Sequence, residues 1–327
     1  MTSLSTQDIL ADKGFYVLQS PSKGLFWGPL ASKASNICGQ FVTFDENEEV
    51  RLGEPRSLEV SDLLDQTGTQ PFKSDFTSSG RSEYEKRFRA FKSQNSAEKA
   101  VLFETYFSKC ELNLEVYLFC LKRLLERNHS KDGYIYGFYD PIKKKALVGL
   151  SPEYLYTTRQ DGSFWTSAVA GSQKGSEFKS WSEKLKKEHR MVEESIKDSL
   201  GGGVDFSVAE TMKYGDLVHL RSAGRVKTKD TKALSKRLHP TAAVGCLPKK
   251  ACKSLDLGPV DRGFYGGYAE LLSLDLPFSL VTIRGLEWRR GEVKASIGGG
   301  VLKESSIDDE WNELSFKWKQ FKKLWDL

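Results

Sequence analysis

The run Ser296-Ile297-Gly298-Gly299-Gly300-Val301-Leu302 constrains this chain most. Three consecutive glycines carry no side chains, so backbone amides there can approach a small anionic ligand closely. Downstream, Asp308-Asp309-Glu310-Trp311-Asn312-Glu313 opens a helix in which Trp311, Leu314, Trp318, Phe321 and Trp325 recur at steps of three and four. Such spacing makes one broad apolar face that packs on a core. Acids in a first turn are expected from the helix dipole alone. The triplet, followed by a short polar loop, is therefore either a ligand site with carboxylates nearby or a plain turn.

A length of 327 residues is enough for a large core, and 39% hydrophobic with 12% aromatic residues excludes a disordered chain. The charge balance, 49 basic against 44 acidic side chains, gives only +5, and no element concentrates the lysines. A nucleic-acid binder is disfavoured on that ground, while a modest positive excess suits a dianionic small substrate. Cys38, Cys110, Cys120, Cys246 and Cys252 are odd in number and lack metal-ligand pairing. With no signal-like start and no long apolar run, a cytoplasmic protein without a membrane span is expected.

Residues 1–76 read as strands separated by Ser, Pro, Gly and Asn-rich turns, and residues 66–81 as a surface loop or linker. An amphipathic helix is predicted over 82–96, followed by an apolar strand opening at Lys99. A further helix spans 112–126. A hairpin joins 133–139 to 146–150, ending in Ser151-Pro152-Glu153. The strand 164–169 runs into Ala170-Gly171-Ser172, and a long helix is predicted over 177–200. Beyond Gly201-Gly202-Gly203 lie a strand carrying His219, a turn-rich stretch over 238–245, and Pro248 at a helix start. Three strands follow, 264–272, 278–288 and 292–297, with Arg284 inside the second. No P-loop and no dinucleotide-binding glycine pattern occurs.

Two residues stand out on physical grounds. Lys99 sits at the mouth of an apolar strand, where lysine is rarely buried unless paired or functional. Glu188 falls at the flank of the stripe formed by Phe178, Trp181, Leu185, Val192 and Ile196. A carboxylate near a buried face needs a proton, a cation or donors.

Taken together, nine ordered blocks resemble one family. They are Lys99-Ala100-Val101-Leu102, Ser151-Pro152-Glu153, residues 168–172, Glu188-His189-Arg190-Met191-Val192, residues 238–245, Asp261-Arg262-Gly263-Phe264-Tyr265-Gly266-Gly267, Ile283-Arg284, Gly298-Gly299-Gly300-Val301 and Glu310-Trp311-Asn312-Glu313. Their order and spacing, from Ser82 to the carboxy terminus, are similar to those of the chorismate-utilising enzymes. Lysine at position 99 and Ala170 resemble the isochorismate synthase branch, which uses water as nucleophile. A salicylate synthase, which goes on to eliminate pyruvate, is the nearest alternative, and a catalytically inactive chorismate-binding paralogue is another.

The resemblance implies an α+β fold: a single large domain of mixed, largely antiparallel sheets packed face to face with helices outside. Residues 1–76 would form a short strand-rich part and 82–327 the catalytic core. It implies Lys99 as general base, working as a neutral amine, and Glu153 as general acid. Glu188 and Glu313 would hold Mg²⁺ with Glu310 close by. Arg284, Tyr265 and the amides of Gly298, Gly299 and Gly300 would clamp a substrate carboxylate, while His219, Gly171 and Ala243 line the ring. Chorismate is the implied partner and a monomer the implied state, with a place in menaquinone or siderophore synthesis. Three departures stand out: Glu104 where the family usually has arginine, Cys246 where it has glycine or serine, and a longer loop over 128–133.

Overall fold

The structure is a computed structural model that describes residues 14–31, 37–57, 72, 74–128, 133–227 and 233–327. In chain order its strands are β1 (Phe15–Gln19), β2 (Leu25–Pro29), β3 (Gly39–Val42), β4 (Glu49–Leu52), β5 (Arg56–Ser57), β6 (Lys99–Lys109), β7 (Tyr134–Asp140), β8 (Lys145–Ser151) and β9 (Tyr154–Thr158). Then come β10 (Phe164–Lys174), β11 (Val204–Phe206), β12 (Glu210–Tyr214), β13 (Leu217–Val226), β14 (Cys246–Leu247), β15 (Gly267–Leu271), β16 (Phe278–Thr282), β17 (Gly285–Arg289) and β18 (Glu292–Leu302). The helices are α1 (Arg81–Ser93), α2 (Leu114–Arg127), α3 (Glu183–Ser199), α4 (Leu234–Leu238) and α5 (Ile307–Trp325).

One sheet runs β14-β6-β18-β17-β8-β7-β1-β2-β5, and the other β11-β13-β10-β9-β16-β15-β3-β4 with β12 on the free side of β13. Every pairing between these strands is antiparallel, so the expected parallel component of a mixed sheet is not found among the described residues. The amino-terminal strands do not fold apart: β1, β2 and β5 extend the first sheet, and β3 and β4 the second.

Period-two alternation explains the layering. In β1, Phe15 and Val17 pack toward the helices of the first sheet, while Tyr16 and Leu18 point into a core shared with Phe41, Leu271, Phe278 and Leu280 of the second. The sheets thus pack face to face. Helices α1, α2 and α5 cover the outer face of the first, and α3 with α4 covers the second. Leu314, Phe321 and Trp325 of α5 are buried as their spacing predicts, each burial contributing about 1.5–3 kcal/mol. No helix among the described residues is long and apolar enough to cross a membrane.

Four predicted elements are redrawn. The glycine triplet is not a loop: Gly298, Gly299 and Gly300 lie inside β18, laddered to Phe103, Leu102 and Val101 of β6. The strand expected over 278–288 is two strands in different sheets, broken at Ile283-Arg284, where Arg284 takes a left-handed φ of 60°. The strand expected over 264–272 begins only at Gly267, because residues before it turn to hydrogen-bond Thr282. The long helix expected from 177 begins at Glu183, because Ser182 accepts from the Leu185 amide at 3.3 Å and caps it there. Phe178 and Trp181 then precede the helix and pack on each other, ring centroids 4.8 Å apart. Pro248 precedes a short 3-10 turn, Lys249–Lys253. Residues 66–71 and 73 of the predicted linker and 129–132 of the loop over 128–133 lie outside the described residues.

Candidate active site

A cavity of about 310 Å³ opens between the carboxy-terminal half of the two sheets and α5. Of the residues singled out from the sequence, Glu153, Gly171, Glu188, His219, Ala243, Tyr265, Arg284, Gly298, Gly299, Gly300 and Glu313 line it. Lys99 and Glu310 do not; both stand one layer behind.

Glu153 follows β8, and the Ser151 hydroxyl fixes it by accepting from its amide at 3.2 Å and donating to its carbonyl at 3.0 Å. The carboxyl is 3% exposed, and its Oε1 has no hydrogen-bond partner. Burial pushes its pKa up to about 8, against the opposing pull of Lys99 and Arg284. A carboxyl in that state is mostly protonated at neutral pH and is placed to donate.

The opposite wall is built by the missing side chains of β18. A Cβ on Gly300 would collide with the carboxylate of Glu188 and lie 2.9 Å from Lys99 Nζ, and one on Gly298 would strike the Tyr265 hydroxyl. Gly298 and Gly300 have no room for a side chain because Tyr265, Glu188 and Lys99 already occupy that space. Lys99, 1% exposed, places Nζ 3.4 Å from Glu188 Oε1 and donates to the Ala242 carbonyl. Burial raises the Glu188 pKa; Lys99 opposes the shift and Glu313 adds to it.

The two acids of α5 stand against Gly299, where an added Cβ would be 3.6 Å from Glu310 Oε2 and 3.8 Å from Glu313 Oε1. Lys184 pairs with Glu310 at 2.6 Å, and Lys317 with Glu313 at 2.7 Å. Glu310 Oε2 is buried without a partner, and burial followed by Glu313 raises its pKa. As they stand, no three His, Cys, Asp or Glu side chains among the described residues converge into a metal-binding group. The donor set nevertheless fits a hard divalent cation: carboxylate oxygens only, one of them orphaned, around a strand with no Cβ to block approach.

Arg284 sits where the chain crosses from one sheet to the other. Its left-handed φ is unfavourable for a residue with a Cβ, a strain that sites of function often hold. No carboxylate among the described residues pairs with it. Its guanidinium lies over the Tyr214 ring at 3.8 Å and donates to His219 Nε2 at 3.0 Å. Nε2 therefore accepts, which leaves the proton on Nδ1, 3.0 Å from Ser172 Oγ. Burial, then Arg284, holds the His219 pKa well below its ordinary value, so the ring is neutral. Gly171, at φ 72°, forms the bulge in β10 that brings Ser172 opposite His219.

Lys317 is a site residue that sequence reasoning missed. It lines the cavity, and besides Glu313 it reaches the Gly298 carbonyl at 3.1 Å. Burial works against its charge, but Glu313 and then Tyr265 outweigh it and raise its pKa. Its place four residues after Glu313 is the available signal, yet that spacing reads equally as a surface helix pair. Of the departures from the family pattern, Glu104 is a buried partner of Arg87, at 3.2 Å, and accepts from Ser79, away from the cavity.

The chorismate binding enzyme family model matches residues 35–323. Isochorismate synthase EntC of Escherichia coli (strain K12) is 29% identical over 217 residues, covering 59% of this chain and 55% of that protein. Anthranilate synthase component 1 of Bacillus subtilis (strain 168) is 26% identical over 200 residues, 54% of this chain and 39% of the relative. The chain thus spans about half the length or less of these curated relatives. Among solved structures, DhbC from Bacillus anthracis superposes with a TM-score of 0.78 at 21% identity, covering 97% of each chain, which shows the shared fold. The match to the family model takes in all of the second sheet, most of the first and nearly all of the cavity lining, and the chain belongs to the chorismate binding enzymes.

Proposed function

We propose that this chain is an isochorismate synthase that isomerises chorismate by adding water at C2 and releasing the C4 hydroxyl. The observation that carries the reading is Glu153, a buried glutamate lining the cavity, with an unpartnered carboxyl oxygen and a pKa of about 8. Loss of a hydroxyl needs a proton donor at neutral pH, and Glu153 supplies one. Water gives up a proton as it attacks C2, the ring double bonds shift, and the C4 hydroxyl leaves as water with the proton from Glu153. Lys99 is the proposed base for the attacking water, one carboxylate removed from the cavity through Glu188.

Arg284 offers a guanidinium with no carboxylate partner among the described residues, suited to one carboxylate of a dianionic substrate. Tyr265 and the backbone of Gly298, Gly299 and Gly300 complete that wall. Neutral His219, Gly171 and Ala243 shape the ring pocket. Glu188 and Glu313, with Glu310 behind them, would hold Mg²⁺, which when bound neutralises and orients a substrate carboxylate. The product would enter menaquinone or siderophore synthesis.

The pairing of each of these three acids with a lysine favours a second reading, a protein that binds chorismate without turning it over. Purified chain incubated with chorismate and Mg²⁺, with an EDTA control and products separated by liquid chromatography, separates the two. Isochorismate formed only with metal is expected. Salicylate with pyruvate would make it a salicylate synthase, and chorismate bound but unchanged would establish the binding protein.

A further inference from the structure

Two thiols meet just outside the cavity wall. Cys246 lies in β14, opposite Ala100 of β6, and its neighbour Leu247 lies opposite Lys99. Cys252 follows in the 3-10 turn Lys249–Lys253, which folds back against β14. The turn brings the Cys252 side chain close enough to Cys246 for the two thiols to interact. Their exposure differs: Cys246 is fully buried, whereas Cys252 is reached by solvent. The charges of Arg262 and Lys249 act on this pair, Arg262 on both sulfurs and Lys249 on Cys252.

We propose that Cys246 and Cys252 are a redox-modification site, a dithiol that a peroxide converts to an intramolecular disulfide beside the Lys99 strand. Cys252 is the attacking sulfur, because it is the accessible one and has cations around it. In support, the interaction with Cys246 lowers the Cys252 pKa; burial opposes the shift and Arg262 adds to it. The Cys252 thiolate displaces hydroxide from the peroxide and becomes a sulfenic acid. The Cys246 sulfur then attacks that sulfur, the S–S bond forms, and the sulfenic oxygen leaves as water with the Cys246 proton. Two thiols lose two electrons and two protons, and hydrogen peroxide is reduced to two waters. The proposal does not depend on which reaction the cavity performs.

The test uses the intact, folded chain treated with hydrogen peroxide, then capped with iodoacetamide in denaturant and cut with trypsin after Lys249 and Lys250. The expected result is a pair of peptides joined through Cys246 and Cys252, separated again by dithiothreitol, with Cys38, Cys110 and Cys120 still capped. Loss of two cappable thiols per chain is the readout. In Cys246→Ser, where no second sulfur can resolve it, Cys252 should be trapped by dimedone as a sulfenic acid. Recovery of all five cysteines as capped thiols, under peroxide that oxidises free glutathione, would overturn the proposal. So would Cys252 sulfinic acid beside a capped Cys246.

Discussion

Glu153 and Glu313 face the same cavity and are the same residue, yet they differ in burial and in contact with a cation. Glu313 touches a lysine ammonium at 2.7 Å, whereas Glu153 feels Lys99 and Arg284 only from a distance and leaves Oε1 unbonded. At Glu153 the distant Lys99 and Arg284 fail to offset desolvation, and the carboxyl keeps its proton. One pocket therefore places a protonated carboxyl on one wall and a lysine-paired glutamate on the other.

The sharpest way to break this contrast is Glu153→Gln, which keeps the shape and removes the donor. Turnover of chorismate should fall by about 10²–10⁴-fold with chorismate affinity little changed. Equal losses in both would make Glu153 a binding residue. Next in size is Glu313→Gln, expected to weaken Mg²⁺ binding by at least about tenfold in calorimetry, or about 1.4 kcal/mol, while thermal stability stays close to wild type. Unchanged Mg²⁺ affinity would move the cation elsewhere. Within the triplet, Gly300→Ala should cost about 1–3 kcal/mol through its clash with Glu188. Gly299→Ala, which meets only ordinary contacts, should be neutral or slightly stabilising. Denaturant melts of the two variants check this, and equal costs would show that the strand rejects any side chain.

The contrast also predicts a pH dependence. The folded Glu153 carboxyl titrates near 8, above its unfolded value of 4.5, so between those values the folded chain holds a proton that the unfolded chain has lost. Its contribution to stability is therefore full below about pH 4.5 and declines as pH rises to about 8, by at most about 1.4 kcal/mol per pH unit. Turnover should fall through the same upper limit as the donor is lost. Glu153→Gln melts, compared with wild type across that range, should lose this slope.

The strand and helix content was legible because short apolar runs such as β1 stand between turn residues and helices such as α5 keep a 3.6-residue stripe, whereas the face-to-face layering was an implication of the family resemblance. That the triplet lies within a strand, neither ending it nor turning, was not legible because glycines carry no side chains for alternation to register, so a strand of them is invisible to periodicity. The break at Arg284 was hidden for the opposite reason: residues 278–288 remain apolar on both sides of the crossing, since each half is buried in its own sheet. Glu188 could be found because a carboxylate on an apolar stripe contradicts its surroundings. Lys317 contradicted nothing, being a lysine one turn beyond a glutamate. That Lys99 lies behind Glu188, outside the cavity lining, depends on the depth of a side chain in three dimensions, which spacing along a strand does not encode.

The passage of one chain from the second sheet to the first at Ile283-Arg284 has a mechanical meaning. β16 and β17 are covalently continuous through that arginine, so a ligand anion held by Arg284 pulls on both sheets at one rivet. Occupancy of the cavity should then stiffen the seam as a whole, and slowed amide exchange should spread outward from residues 282–285 along β16 and β17 alike.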